Sequence, residues 1–193
     1  LAIFILFHHP HRNLFIALTG VLLIVPFVLF SGLAGWLSDR LSKRTVMLWA
    51  KVGEVGAMCT GLLALLNYMH SPDTALSIGL LLSVVFLMGM QSAIFSPSKY
   101  GSVPELVAPV DVARANALLE MTVFAGIILG CGAAPLLYKW AGRQLWAAAV
   151  PLIGVALLGA AAIKRVHPTA VAEGKAPRLQ LGQLARNLAT LRK

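Results

Sequence analysis

The chain has 193 residues, of which 59% are hydrophobic and only 12% charged, with a net charge of +9 and a mean hydropathy of +0.82. A soluble domain of this size carries roughly 25% charged residues, so a water-soluble globular protein is excluded. The basic residues gather between apolar runs instead of forming one surface stripe, which points to membrane topology and away from nucleic-acid binding.

Taken in order, the chain opens with a short apolar segment, 1–7, too short to cross a bilayer and expected to be the end of an earlier helix. Five longer apolar runs follow at 14–37, 46–66, 75–95, 116–138 and 145–163. Each approaches the roughly 20 residues a helix needs to span the hydrocarbon core. The expectation is an all-α membrane protein, a polytopic helical bundle over 1–165, followed by a linker over 166–193. In that linker Leu181, Leu184, Leu188 and Leu191 recur at helical spacing, with Arg178, Arg186, Arg192 and Lys193 largely off the stripe. Such a helix is suited to lie at the membrane interface, or to pack as a connector on the bundle.

The connectors alternate in charge. One side holds Arg12, Lys139 and Arg143; the other holds Arg40, Lys43, Arg44, Lys99, Arg114, Lys164, Arg165 and the basic tail. The basic side faces the cytoplasm by the positive-inside rule, which assigns 38–45, 96–115 and 164–193 to that side. His8, His9 and His11 then fall outside, with no carboxylate or cysteine to complete a metal site. Cys59 and Cys131 lie within apolar runs and read as small hydrophobes. No cofactor, metal or redox motif is present, and none of the histidines begins the H-x-x-x-x-D spacing of an acyltransferase base.

Three polar groups need explaining. The loop "GWLSDRLSKR" places Gly35 where helices can approach closely, Asp39 where it can cap a neighbouring helix start, and Arg40, Lys43 and Arg44 as inner anchors. Lys51 and Glu54, three apart within a span, are expected to pair with each other, and Gln91 to find a helix neighbour. The stretch "FSPSKYGSVPELV" puts Lys99 and Tyr100 among Pro97, Gly101, Pro104 and Glu105. Its prolines are expected to break the helix and hold an open end beside a cation suited to phosphate. Asn116 and Glu120 follow on one helix face, and a carboxylate inside a span usually meets a cavity or a partner. Gly126 and Gly130 have the spacing of tight helix packing.

The loop from Gly35 to Arg44 resembles the G-x-L-A-D-R-x-G-R-R loop of the major facilitator superfamily: Gly35, Leu37, Asp39, Arg40, Lys43 and Arg44 match, and Ser38 and Ser42 replace two small residues. "SPSKYGSVPELV" followed by "ANALLEMTVFAGIILG" resembles that superfamily's lysophospholipid transporters. The usual arginine motif of the fourth helix is absent, and Cys131 stands where the antiporter motif of the fifth has proline.

The resemblance implies the N-terminal half of a twelve-helix transporter, from the end of its first helix through its sixth. The loop would gate the cytoplasmic side. Lys99, Tyr100, Asn116 and Glu120 would receive a lysophospholipid headgroup, with Lys51, Glu54 and Gln91 as further intramembrane polar groups. The implied partners are membrane lipid, the other transporter half and an acyltransferase, fused or separate; the implied place is the bacterial inner membrane. Another transporter of the superfamily, for a drug, sugar or peptide, and a lipid-binding scaffold without transport remain the alternatives. Convergence of Lys51, Glu54, Gln91 and Glu120 on one cavity is the feature that separates them.

Overall fold

A computed structural model describes residues 12–71, 75–142 and 144–166. Segment 1–7, His8, His9, His11, Arg143 and the amphipathic tail from 167 on lie outside the described residues. Those described form helices α1 (Arg12–Arg40), α2 (Lys43–His70), α3 (Ala75–Leu106), α4 (Val112–Ala141) and α5 (Ala149–Lys164), with 3-10 turns at Pro109–Asp111 and Leu145–Ala148. Five helical stretches are long and apolar enough to cross a membrane, and there is no strand among the described residues. The molecule is an all-α membrane bundle.

α3 is the central helix, with α1 and α2 packed along it; α5 packs on α2. The contacts are made largely by small side chains. Ala34, Ala50, Ala57, Ala64, Ala93, Ala148 and Ala156 are buried, while many Leu, Ile, Val and Phe residues face outward. Lipid offers no hydrophobic drive to bring helices together, so close approach through small residues supplies the attraction. The tightest approach is at Gly89 on α3. A methyl there would lie 2.7 Å from the Leu23 carbonyl oxygen and 3.1 Å from Pro26 Cγ. Pro26, inside α1, is itself fully buried at this crossing.

Local chemistry sets the helix ends. Ser42 caps α2 by accepting from the Thr45 amide at 3.2 Å. At its far end Asn67 Nδ2 donates to Ser77 Oγ, which donates to the Ser71 carbonyl, both at 2.7 Å, closing the turn into α3. α3 stops before Ala108, which precedes Pro109 and is extended (ψ 148°). α4 stops at Gly142, whose positive φ of 52° lets its amide return to the Tyr138 carbonyl.

Three expectations are corrected here. Pro97 and Pro104 do not break the helix: α3 runs through both to Leu106. The carbonyls that lose a helical donor are those four residues back, Ala93 for Pro97 and Tyr100 for Pro104, and the side-chain bonds nearby go to other carbonyls. Ser96 Oγ donates to the Ser92 carbonyl at 2.8 Å, Ser102 Oγ to Lys99 O at 2.7 Å, and Lys43 Nζ to Gly101 O at 2.9 Å. Lys99 therefore sits on a continuous helix and not on an open end. Among the described residues Gly35 is not a close-approach point, since a methyl there would meet no atom within 4 Å. The same holds for Gly126 and Gly130, because α4 touches the bundle only lightly and none of its span is buried.

Candidate functional site

α3 is 32 residues long, about 48 Å at 1.5 Å per residue, which exceeds the roughly 30 Å hydrocarbon core. Its surplus lies at the basic end and carries Lys99 and Tyr100. The Lys99 ammonium stands 4.2 Å from the Tyr100 ring centre, a cation–π contact. The Tyr100 hydroxyl donates to Glu120 Oε1 on α4. Asn116, one turn before Glu120, has a buried Oδ1 with no hydrogen-bond partner. Lys99, Tyr100, Asn116 and Glu120 are all half-buried. The structure thus links Lys99, Tyr100 and Glu120 across the α3–α4 junction, with an unmatched acceptor beside them. An ammonium donor and two carbonyl-type acceptors close together can receive a group carrying both phosphate and amine.

The loop between α1 and α2 reaches two helix ends. Lys43 Nζ pairs with Glu105 and also donates to Gly101 O near the end of α3. Arg44 Nη2 donates to the Lys164 carbonyl at the end of α5, at 2.6 Å. Both residues open α2, but their charged groups reach the C-terminal ends of α3 and α5, where those helix dipoles are negative. Arg40 stacks over Trp36 at 4.6 Å. Asp39 is exposed and has no hydrogen bond among the described residues. Gly35, in the last turns of α1, makes no tight contact.

The remaining polar residues form separate groups. Lys51 Nζ bonds Glu54 Oε2 at 2.5 Å, with side chains 22% and 14% exposed. Lys51 also lies 5.4 Å from the Phe95 ring and packs over Gly159 of α5. Gln91 donates to Ser92 Oγ at 3.1 Å. It lines a largely apolar cavity of about 290 Å³ with Leu37, Leu41, Trp49, Gly53 and Met90. Lys51 and Glu54 pair with each other, Gln91 bonds Ser92 and Glu120 bonds Tyr100, so the four do not converge on one cavity and the convergence expected of a shared substrate site is not met.

Sequence reasoning named Glu105 in the Lys99 cluster without its partner, and it passed over Ser98. Glu105 is the partner of Lys43, 62 residues away, and an acid in the last turn of a basic-side helix was its signal. Ser98 is fully buried with an unbonded hydroxyl, and nothing in the sequence separates it from its serine neighbours.

Comparison with known proteins places these features in context. The family model described as Major Facilitator Superfamily matches residues 4–192. A lysophospholipid transporter LplT of Salmonella arizonae is 28% identical over 117 residues, covering 59% of this chain and 25% of that protein. Those of Escherichia coli O1:K1 and Shigella boydii serotype 18 are 29% identical over the same length and shares. The match thus spans about a quarter of the length of these curated relatives. No solved structure gives a significant match.

Proposed function

The chain belongs to the major facilitator superfamily, and from that premise we propose that it serves to move lysophospholipid, of the lysophosphatidylethanolamine kind, across the bacterial inner membrane to be reacylated. The observation that carries this reading is the Lys99–Tyr100–Glu120 group with the unbonded Asn116 Oδ1 beside it. Lys99 would hold the phosphate as a point charge. Glu120 and Asn116 would accept from the headgroup amine, with the Tyr100 hydroxyl keeping the Glu120 carboxylate bonded until a substrate arrives. The acyl chain would stay against the apolar outer faces of the helices. The resemblance to the LplT transporters supports the substrate class.

On this reading the second half of the transporter forms the opposite wall of the path, and an acyltransferase, fused or separate, consumes the product. The loop carrying Asp39, Arg40, Lys43 and Arg44 would gate the cytoplasmic side, with Asp39 free to cap a helix of the other half. The protein itself performs no covalent chemistry in this scheme.

The test uses the full-length protein in right-side-out and inverted vesicles, following labelled lysophosphatidylethanolamine and a cationic dye in parallel. Lys99→Ala and Glu120→Gln each remove a charge-assisted contact of about 1.5–3 kcal/mol, so lysolipid transport should fall about 10- to 100-fold at unchanged expression. Wild-type rates in both variants would refute the site. Movement of dye without lysolipid would assign the protein to a different transporter of the superfamily.

A further inference from the structure

α5 ends in a group of cations that the transport reading leaves unused. Arg44 is half-buried, and one of its five N–H donors is spent on the Lys164 carbonyl at 2.6 Å. Lys164 and Arg165, the last residue and the C-cap of α5, are exposed. Among the described residues no carboxylate pairs with any of the three. Of the acids on this side, Glu105 pairs with Lys43 and Glu54 with Lys51, while Asp39, five residues before Arg44, is exposed and pairs with none of the three among the described residues. So the Arg44 guanidinium of α2 is held at the backbone end of α5, where the exposed Lys164 and Arg165 also lie, by a bond that spans 120 residues of chain. On the same two helices, Val52 of α2 and Val155 and Leu158 of α5 are exposed apolar residues.

We propose that Arg44, Lys164 and Arg165 form a binding site for the phosphate of an anionic diacyl phospholipid, held as a resident lipid at the α2–α5 seam. A basic pocket between membrane helices is the arrangement that selects such headgroups. Arg44 supplies a preoriented planar fork suited to two phosphate oxygens. Lys164 and Arg165 add charge that the surrounding protein does not neutralise, and the apolar flanks of α2 and α5 accept the acyl chains. The site is on a different helix pair from Glu120, which belongs to α4 beside α3, so it does not depend on the lysolipid reading.

The experiment measures lipid retention by the full-length protein, by native mass spectrometry from nanodiscs holding phosphatidylglycerol and phosphatidylcholine in equal amounts. The wild type should retain phosphatidylglycerol preferentially. Lys164→Gln/Arg165→Gln should lower that preference about 10- to 30-fold at low salt, since two cations near the surface are lost. Lys164→Arg/Arg165→Lys should restore it. Lys139→Gln, at the opposite end of α4, should leave it unchanged. Equal retention of both lipids by the wild type, an unaltered preference in the double glutamine variant, or an equal loss in Lys139→Gln would each overturn the proposal. Displacement of the lipid by millimolar inorganic phosphate alone would also overturn it, by showing a site for a free anion.

Discussion

Replacing Gly89 by alanine tests whether the α1–α3 crossing holds the bundle together. The new methyl would stand 2.7 Å from the Leu23 carbonyl oxygen, whereas a carbon and a carbonyl oxygen settle at about 3.3–3.6 Å. The two helices must therefore part locally by about 0.6–0.9 Å. Side-chain rearrangement cannot absorb this, because one clashing atom is backbone and the other, Pro26 Cγ at 3.1 Å, belongs to a rigid buried ring. Overpacking of this kind costs about 1–3 kcal/mol. Gly126→Ala and Gly130→Ala are the internal controls: both have open space, and alanine favours a helix over glycine by up to about 1 kcal/mol. Chemical denaturation of the purified protein in detergent should rank Gly89→Ala well below the wild type and the two controls at or above it. A Gly89→Ala protein as stable as Gly126→Ala would refute the reasoning. The variant should also impair transport, because α3 carries Lys99 and Tyr100.

Two further predictions concern ion pairs. Lys43→Ala and Glu105→Ala, with the double variant, should give a coupling of about 0.5–1 kcal/mol, modest because both side chains are partly exposed (19% and 31%); additive effects in the same denaturation assay would show that the loop is not tied to α3 through this pair. Lys51→Leu alone strands Glu54 and should destabilise by about 3 kcal/mol, while Lys51→Leu/Glu54→Leu should recover most of that loss; a double variant as unstable as the single one would mean the pair contributes more than local neutrality.

How far the sequence could be read depended on range. Apolar runs of span length are local, so the helices could be read directly, and the pairing of Lys51 with Glu54 follows from their three-residue spacing on one helix. The continuation of α3 past Pro97 and Pro104 was not legible. Two prolines within ten residues read locally as a helix end, and the tie of this segment to Lys43, 58 residues from Gly101, leaves no local mark. The glycines show the same limit. Gly35, Gly126 and Gly130 stand in suggestive patterns, yet among the described residues a methyl at any of them would meet nothing within 4 Å, while one at Gly89, in no motif, would meet the Leu23 backbone at 2.7 Å. Which glycine matters is decided by what lies opposite, and spacing along one strand of sequence carries no record of that. The candidate headgroup residues were named from local chemistry. The bond between Tyr100 and Glu120 needed α4 to be laid beside α3.

The pairing of Lys51 with Glu54 also bears on how the protein is made. The α2 span is the least hydrophobic of the five, with a mean hydropathy of 1.3 against 1.9–2.6 for the others. A lysine costs up to about 2.5–3.5 kcal/mol at the centre of an inserting helix, and less at the position of Lys51, in the first third of α2. Because the carboxylate that offsets it lies three residues away on the same helix, the two charges can neutralise each other as soon as that turn forms, before α3 or α5 has emerged from the ribosome. α2 can then leave the translocon as a nearly neutral segment, without waiting for later helices to shelter its charges.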